Sequence, residues 1–68
     1  MMTFADIVRA LVDDDDYRQT LTRQLAARTV DAAVTRQLIA YARSRQTTIG
    51  QAIARRVLTD AGVSWEAL

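Results

Sequence analysis

The chain of 68 residues has no cysteine, no histidine, no lysine and no proline, and only two glycines, Gly50 and Gly62. Without cysteine there is no disulfide and no thiolate to act as nucleophile or ligand. Without histidine the chain lacks the commonest zinc ligand, the commonest general base and the usual pH switch. No serine, threonine or carboxylate pair shows the partner that a nucleophile or an acid–base dyad requires. The sequence therefore reads as a non-enzyme, with no cofactor and no metal. Missing proline and scarce glycine remove most helix breakers. The abundance of Ala, Leu, Gln and Arg then makes helix the default. No segment approaches the ~18 consecutive apolar residues of a membrane span. The run from Phe4 to Val12 is interrupted by Asp6 and Arg9 and has no basic flank of the signal-peptide kind. The expectation is an intracellular, cytoplasmic protein that does not engage a membrane.

Half of the residues are hydrophobic, the usual proportion for a globular chain. A single domain spanning residues 1–68 is expected. A chain this short buries only about 60% of its unfolded surface. Without disulfide or metal, very regular helix packing or self-association has to supply the rest.

Charge is sorted along the chain. Residues 1–17 hold five aspartates and one arginine, a net −4. Residues 18–56 hold eight of the nine arginines and one aspartate, a net +7. Residues 57–68 add Asp60 and Glu66. The overall +1 hides an acidic head joined to a basic body. That split points to an anionic partner or to self-association. The use of arginine alone as the cation is the bias that a GC-rich genome produces, with no special guanidinium role needed.

Apolar spacing predicts four short helices over about 4–12, 17–27, 30–45 and 48–61, followed by a tail at 62–68. In the first, Thr3 and Asp6 resemble a capping box, and Phe4, Ile7, Val8, Leu11 and Val12 form one stripe. Continued helically, Asp15 would land on that stripe, so the helix should end or bend within Asp13 to Asp16. The second is expected to start with Asp16 as N-cap and Gln19 three residues on, with Tyr17, Leu21 and Leu25 facing inward. Residues 19–25 also admit a strand reading, with Thr20, Thr22 and Gln24 on one face. The third is expected to be capped by Thr29, with Val30, Val34, Leu38, Tyr41 and Ala42 inward and Arg36 and Arg43 together on the opposite face. The fourth opens with a Thr48–Gln51 capping box, with Ile49, Ile53, Val57 and Ala61 as its stripe, Leu58 and Ala54 alongside, and Gln51, Arg55 and Thr59 on the far face. Gly62 suits the left-handed residue that ends a helix, with Val63 folding back on the last turn.

Several residue groups carry candidate chemistry. The run Asp13 to Asp16 lacks the spaced oxygens and the glycine of a calcium loop and reads as a solvated helix junction. Arg36, Arg43, Arg45 and Arg55 supply guanidinium groups that pair bidentately with phosphate. The pair of helices at 30–45 and 48–61 loosely matches a helix-turn-helix, with Thr47, Thr48, Gln51 and Arg55 suited to reading bases. Tyr41 sits on an apolar stripe and reads as core. Phe4, Ile7, Leu11 and Trp65 are expected to meet a partner chain, because a 68-residue monomer has little with which to cover them.

Two resemblances bear on these groups. Ala33 to Ala42, followed by Arg45-Gln-Thr-Thr-Ile-Gly-Gln-Ala-Ile-Ala-Arg-Arg-Val-Leu58, resembles the helical half of ribbon-helix-helix DNA-binding regulators. That resemblance implies a dimer that inserts a two-stranded ribbon into the major groove, the strand here being about 19–25. A whole helix precedes that segment, and the gap from Leu25 to Asp31 is longer than the family's. Asp16-Tyr17-Arg18, Leu21, Leu25, Leu38 and Tyr41-Ala42 are similar to short helical phage proteins encoded near DNA-packaging genes. Arg43-Ser44-Arg45 stands where that pattern carries Gly-Lys-Pro. The resemblance implies a mobile-element setting.

The combined expectation is an all-α bundle of four short helices completed by homodimerisation. It would bind nucleic acid through Arg36, Arg43, Arg45, Gln51 and Arg55, as a regulator or packaging accessory. The alternative is a protein-interaction module, adaptor or inhibitor, that grips a host or phage protein with its acidic head or one helix face.

Overall fold

A computed structural model describes residues 2–66. It contains α1 (Phe4–Asp13), α2 (Asp15–Ala26), α3 (Ala32–Arg43) and α4 (Ile49–Asp60), and no strand among the described residues. The expected all-α architecture of four short helices is what the chain forms.

α1 begins as its sequence dictates. The Asp6 N–H donates to the Thr3 hydroxyl at 3.2 Å, and the Thr3 N–H donates to the Asp6 carboxylate at 3.1 Å. Two of the orphan donors at the helix start are thereby satisfied. The break expected within the aspartate run falls at Asp14. That one residue, extended at φ −126° and ψ 107°, ends α1 and caps α2. Its carboxylate accepts from the Tyr17 N–H at 3.2 Å. Asp16, expected as the cap, lies instead in the first turn beside Asp15, where both face the positive end of the α2 dipole. Residues 19–25, which the sequence left open to a strand, are helical and bury Leu21 and Leu25.

α3 is shorter than expected. Its N-cap is Asp31, not Thr29. Thr29 is already engaged in ending α2: its N–H and its hydroxyl both donate to the Gln24 carbonyl, at 3.0 and 3.2 Å. Arg28, which donates back to the Leu25 carbonyl, adopts φ 62°. These bonds form a Schellman ending, in which the left-handed residue is usually glycine. α4 ends the same way with Gly62 at φ 75°, and Val63 folds back to donate to Leu58 at 2.9 Å.

The core takes one fully buried leucine from each helix: Leu11, Leu25, Leu38 and Leu58. Burying each contributes about 1.5–3 kcal/mol before entropy is counted. α4 is the hub. It packs on all three other helices, α1 and α2 also pack on each other, and α3 rests chiefly on α4. The α4 stripe is rotated from the expected one. Its buried arc is Gly50, Gln51, Ala54, Val57 and Leu58, while Ile49 stands 69% exposed. Gly50 is drawn inward because the Tyr41 hydroxyl and the Val8 side chain lie where a larger residue would project. The Tyr41 ring is in turn held edge-on by Phe4, 5.6 Å between centroids.

A second subunit is not needed to cover the α1 stripe. Ile7 and Leu11 are 8% and 0% exposed within the single chain, and Phe4 packs against the same core. The radius of gyration, 10.8 Å, equals that of a compact domain of this length, about 11 Å. Ile7 and Leu11, expected to meet a partner, are core residues of this chain.

Two predictions follow from the helix ends. Arg28→Gly removes the Cβ that strains a residue at positive φ and should stabilise the fold by about 1 kcal/mol in urea unfolding. The Asp6 pKa is lowered, first by the Thr3 backbone N–H, then by the Thr3 hydroxyl, and less by Arg9, against a smaller desolvation effect. A carboxyl with a depressed folded-state pKa stabilises above its unfolded pKa, and that contribution is lost as pH falls through the folded value. Stability measured at about pH 6 and about pH 3 should therefore drop less in Asp6→Asn than in the parent chain.

Candidate nucleic-acid interface

Helix ends that lack glycine need other donors for their last carbonyls. In this chain arginines from the following helix supply them. Arg18, on α2, donates from one guanidinium nitrogen to the carbonyls of Leu11 at 2.8 Å and Val12 at 3.1 Å, closing α1. Its other terminal nitrogen pairs with Asp15 at 3.0 Å. Arg55, on α4, reaches the end of α3. It donates to the Ala42 carbonyl at 2.7 Å, the Ser44 carbonyl at 2.9 Å and the Gln46 carbonyl at 3.2 Å. Trp65 of the tail lies against the Arg55 guanidinium, 5.5 Å from its ring centroid, and donates its indole N–H to the Thr59 hydroxyl. Trp65, expected at a partner interface, is half-buried on its own α4.

Gln51 completes the grip on α3. It is 1% exposed. Its amide oxygen accepts from the Thr48 N–H at 3.1 Å and the Thr48 hydroxyl at 2.9 Å, and its amide nitrogen donates to the Tyr41 carbonyl at 3.3 Å. The capping box read from sequence is present, and the same glutamine also caps the neighbouring helix.

The five residues expected to bind nucleic acid thus separate into two sets. Gln51 is enclosed and Arg55 is bonded to three backbone carbonyls, so the expected base-reading face of α4 is turned inward. Arg36 and Arg43 stand exposed on the outer face of α3, as their spacing implied, with Arg45 exposed in the bend just beyond. None of these three makes an ion pair among the described residues, where both pairs are local: Arg18 with Asp15 and Arg56 with Asp60. Gln37 shares the α3 face, and the exposed Ala33 and Ala40 between them leave it low in relief. The acidic head does not neutralise this face. Asp14 caps α2 and Asp15 holds Arg18; outside the head, Asp31 accepts from the Ala33 N–H at 2.7 Å, and among the described residues no three acids converge on a point.

The roles of Arg18, Arg28 and Arg55 were missed by spacing arguments. For Arg18 and Arg55 the signal lies in the glycine distribution: neither the first nor the third helix is followed by a glycine, so their last carbonyls need other donors.

No family model matches this chain, and comparison with curated proteins and with solved structures found no match. No described helix is long and apolar enough to cross a membrane.

The two sets should respond oppositely to substitution. Gln51→Ala and Arg55→Ala each leave α3 carbonyls without partners and should cost about 1–3 kcal/mol in urea unfolding. Arg36→Gln, Arg43→Gln and Arg45→Gln should stay within about 0.5 kcal/mol of the parent.

Proposed function

We propose that the chain is a non-enzymatic nucleic-acid-binding protein that lays the outer face of α3 against the phosphate backbone of a duplex. The observation that supports this reading is the set Arg36 and Arg43 on the outer face of α3 and Arg45 in the bend just beyond it, all exposed and without an ion pair among the described residues, on a helix that packs chiefly on α4. Guanidinium groups bind phosphate bidentately, and neutralising phosphates releases condensed counterions. Ala33 and Ala40 allow close approach, and Gln37 has the donor and acceptor that adenine presents a complement to. This revises the helix-turn-helix reading: the α4 residues suited to reading bases, Gln51 and Arg55, are engaged within the chain, while Arg36, Gln37 and Arg43 of α3 are exposed. The setting, an accessory protein of a phage or similar element, rests on the resemblance carried by Asp16-Tyr17-Arg18 and Tyr41-Ala42.

Retention on duplex DNA should fall steeply as salt rises. In a plot of log affinity against log salt, Arg43→Gln should make the slope shallower by about one unit, with the fold intact. No retention at low salt, or a slope that Arg36→Gln, Arg43→Gln and Arg45→Gln all leave unchanged, sinks the proposal.

A further inference from the structure

A cleft of about 310 Å³ opens between the end of α2, the start of α3 and the turn after α4. Its apolar lining is Leu25, Val30, Ala32 and Val63, and Arg28 and Arg36 stand in its wall with Thr35. The volume is at the small end of ligand pockets, the size for one aliphatic side chain and its flanking backbone. No acidic residue lines it. Asp31, the nearest acid in sequence, is committed to the Ala33 N–H. Neither the Arg28 nor the Arg36 guanidinium makes a hydrogen bond or ion pair among the described residues. No aromatic ring faces the cleft, so a nucleobase would find nothing to stack on.

Arg28 is the informative residue. It occupies the left-handed position that ends α2, the position that Gly62 fills at the end of α4. A side chain there works against the backbone, and such positions persist where the side chain has a use. Unlike Arg18 and Arg55, Arg28 closes no neighbouring helix. Its guanidinium is left for something outside the chain.

We infer that this cleft docks an acidic peptide segment of a protein partner, seating one aliphatic side chain on Leu25, Val30 and Val63 while Arg28 and Arg36 hold the carboxylates beside it. The inference shares Arg36 with the duplex-binding reading, but Arg28 belongs to the cleft alone and Arg43 and Arg45 to the duplex surface alone, so their variants separate the two. The test is a titration with acetyl-Asp-Leu-Asp-amide, followed by the methyl resonances of Leu25 and Val63. Saturable shifts are expected at those methyls, with affinity lowered about tenfold by Arg28→Gly and by replacing the peptide's aspartates with asparagines. Because Arg28→Gly relieves the backbone, its loss of binding cannot come from unfolding, and urea unfolding of the same variant verifies that. Equal affinity of Arg28→Gly for the peptide overturns the inference. So does the absence of shifts at Leu25 and Val63, or a duplex that moves those methyls while the peptide does not. Replacing the leucine by alanine should also weaken binding, and undiminished affinity overturns the inference too, because the aliphatic seat is part of it.

Discussion

The last carbonyls of α3 are satisfied from α4, by Gln51 and Arg55 one turn apart. These bonds fix how the two helices meet, and the rest of the molecule follows from it. With Gln51 turned under α3, the α4 arc containing Ala54, Val57 and Leu58 faces the bundle centre, and Ile49 is left outside. Gly50 then lies beneath the Tyr41 hydroxyl, and Tyr41 meets Phe4 of α1. One polar contact thus links three helices and orients the hub of the fold. A buried glutamine is stable in that position because each end of its amide has a partner, and no buried side-chain nitrogen or oxygen among the described residues is left without one.

The arginines of the basic body consequently do different things. Arg18 and Arg55 close α1 and α3 by donating to their terminal carbonyls. Arg28 ends α2 through its backbone conformation. In a chain with two glycines and no proline, helix ends must be made by other means, and a guanidinium with several donors on a long stem reaches across to a neighbouring helix end. What remains for outside partners is a smaller set, concentrated on α3 and its edges. The positive charge of residues 18–56 overstates the charge that is available for binding.

The same accounting alters the case for self-association. The N-terminal stripe suggested a subunit interface because the chain looked too short to cover it. The helices cover it because each places one leucine at the centre and α4 touches all the others. The −4 head and the α3 face are not paired within the chain, so the charge split still bears on what the protein meets. It no longer bears on what completes its core.

Sequence alone determined the helical class, the break within the aspartate run, and the capping boxes at Thr3 and Thr48, but not the cap of α2, which is Asp14 and not Asp16. These depend on neighbours three or four residues apart, and such contacts are set before the chain folds on itself. It also placed Arg36 and Arg43 on one face, because helical period is local. Where α4 turns, which arginines are engaged, and whether Thr29 starts one helix or ends another were decided only by the tertiary structure. Each depends on a carbonyl or a side chain distant in sequence. A glutamine on the polar side of a capping box reads as solvated until the Tyr41 carbonyl arrives to accept from it. An arginine reads as free until a helix end without glycine comes within its reach.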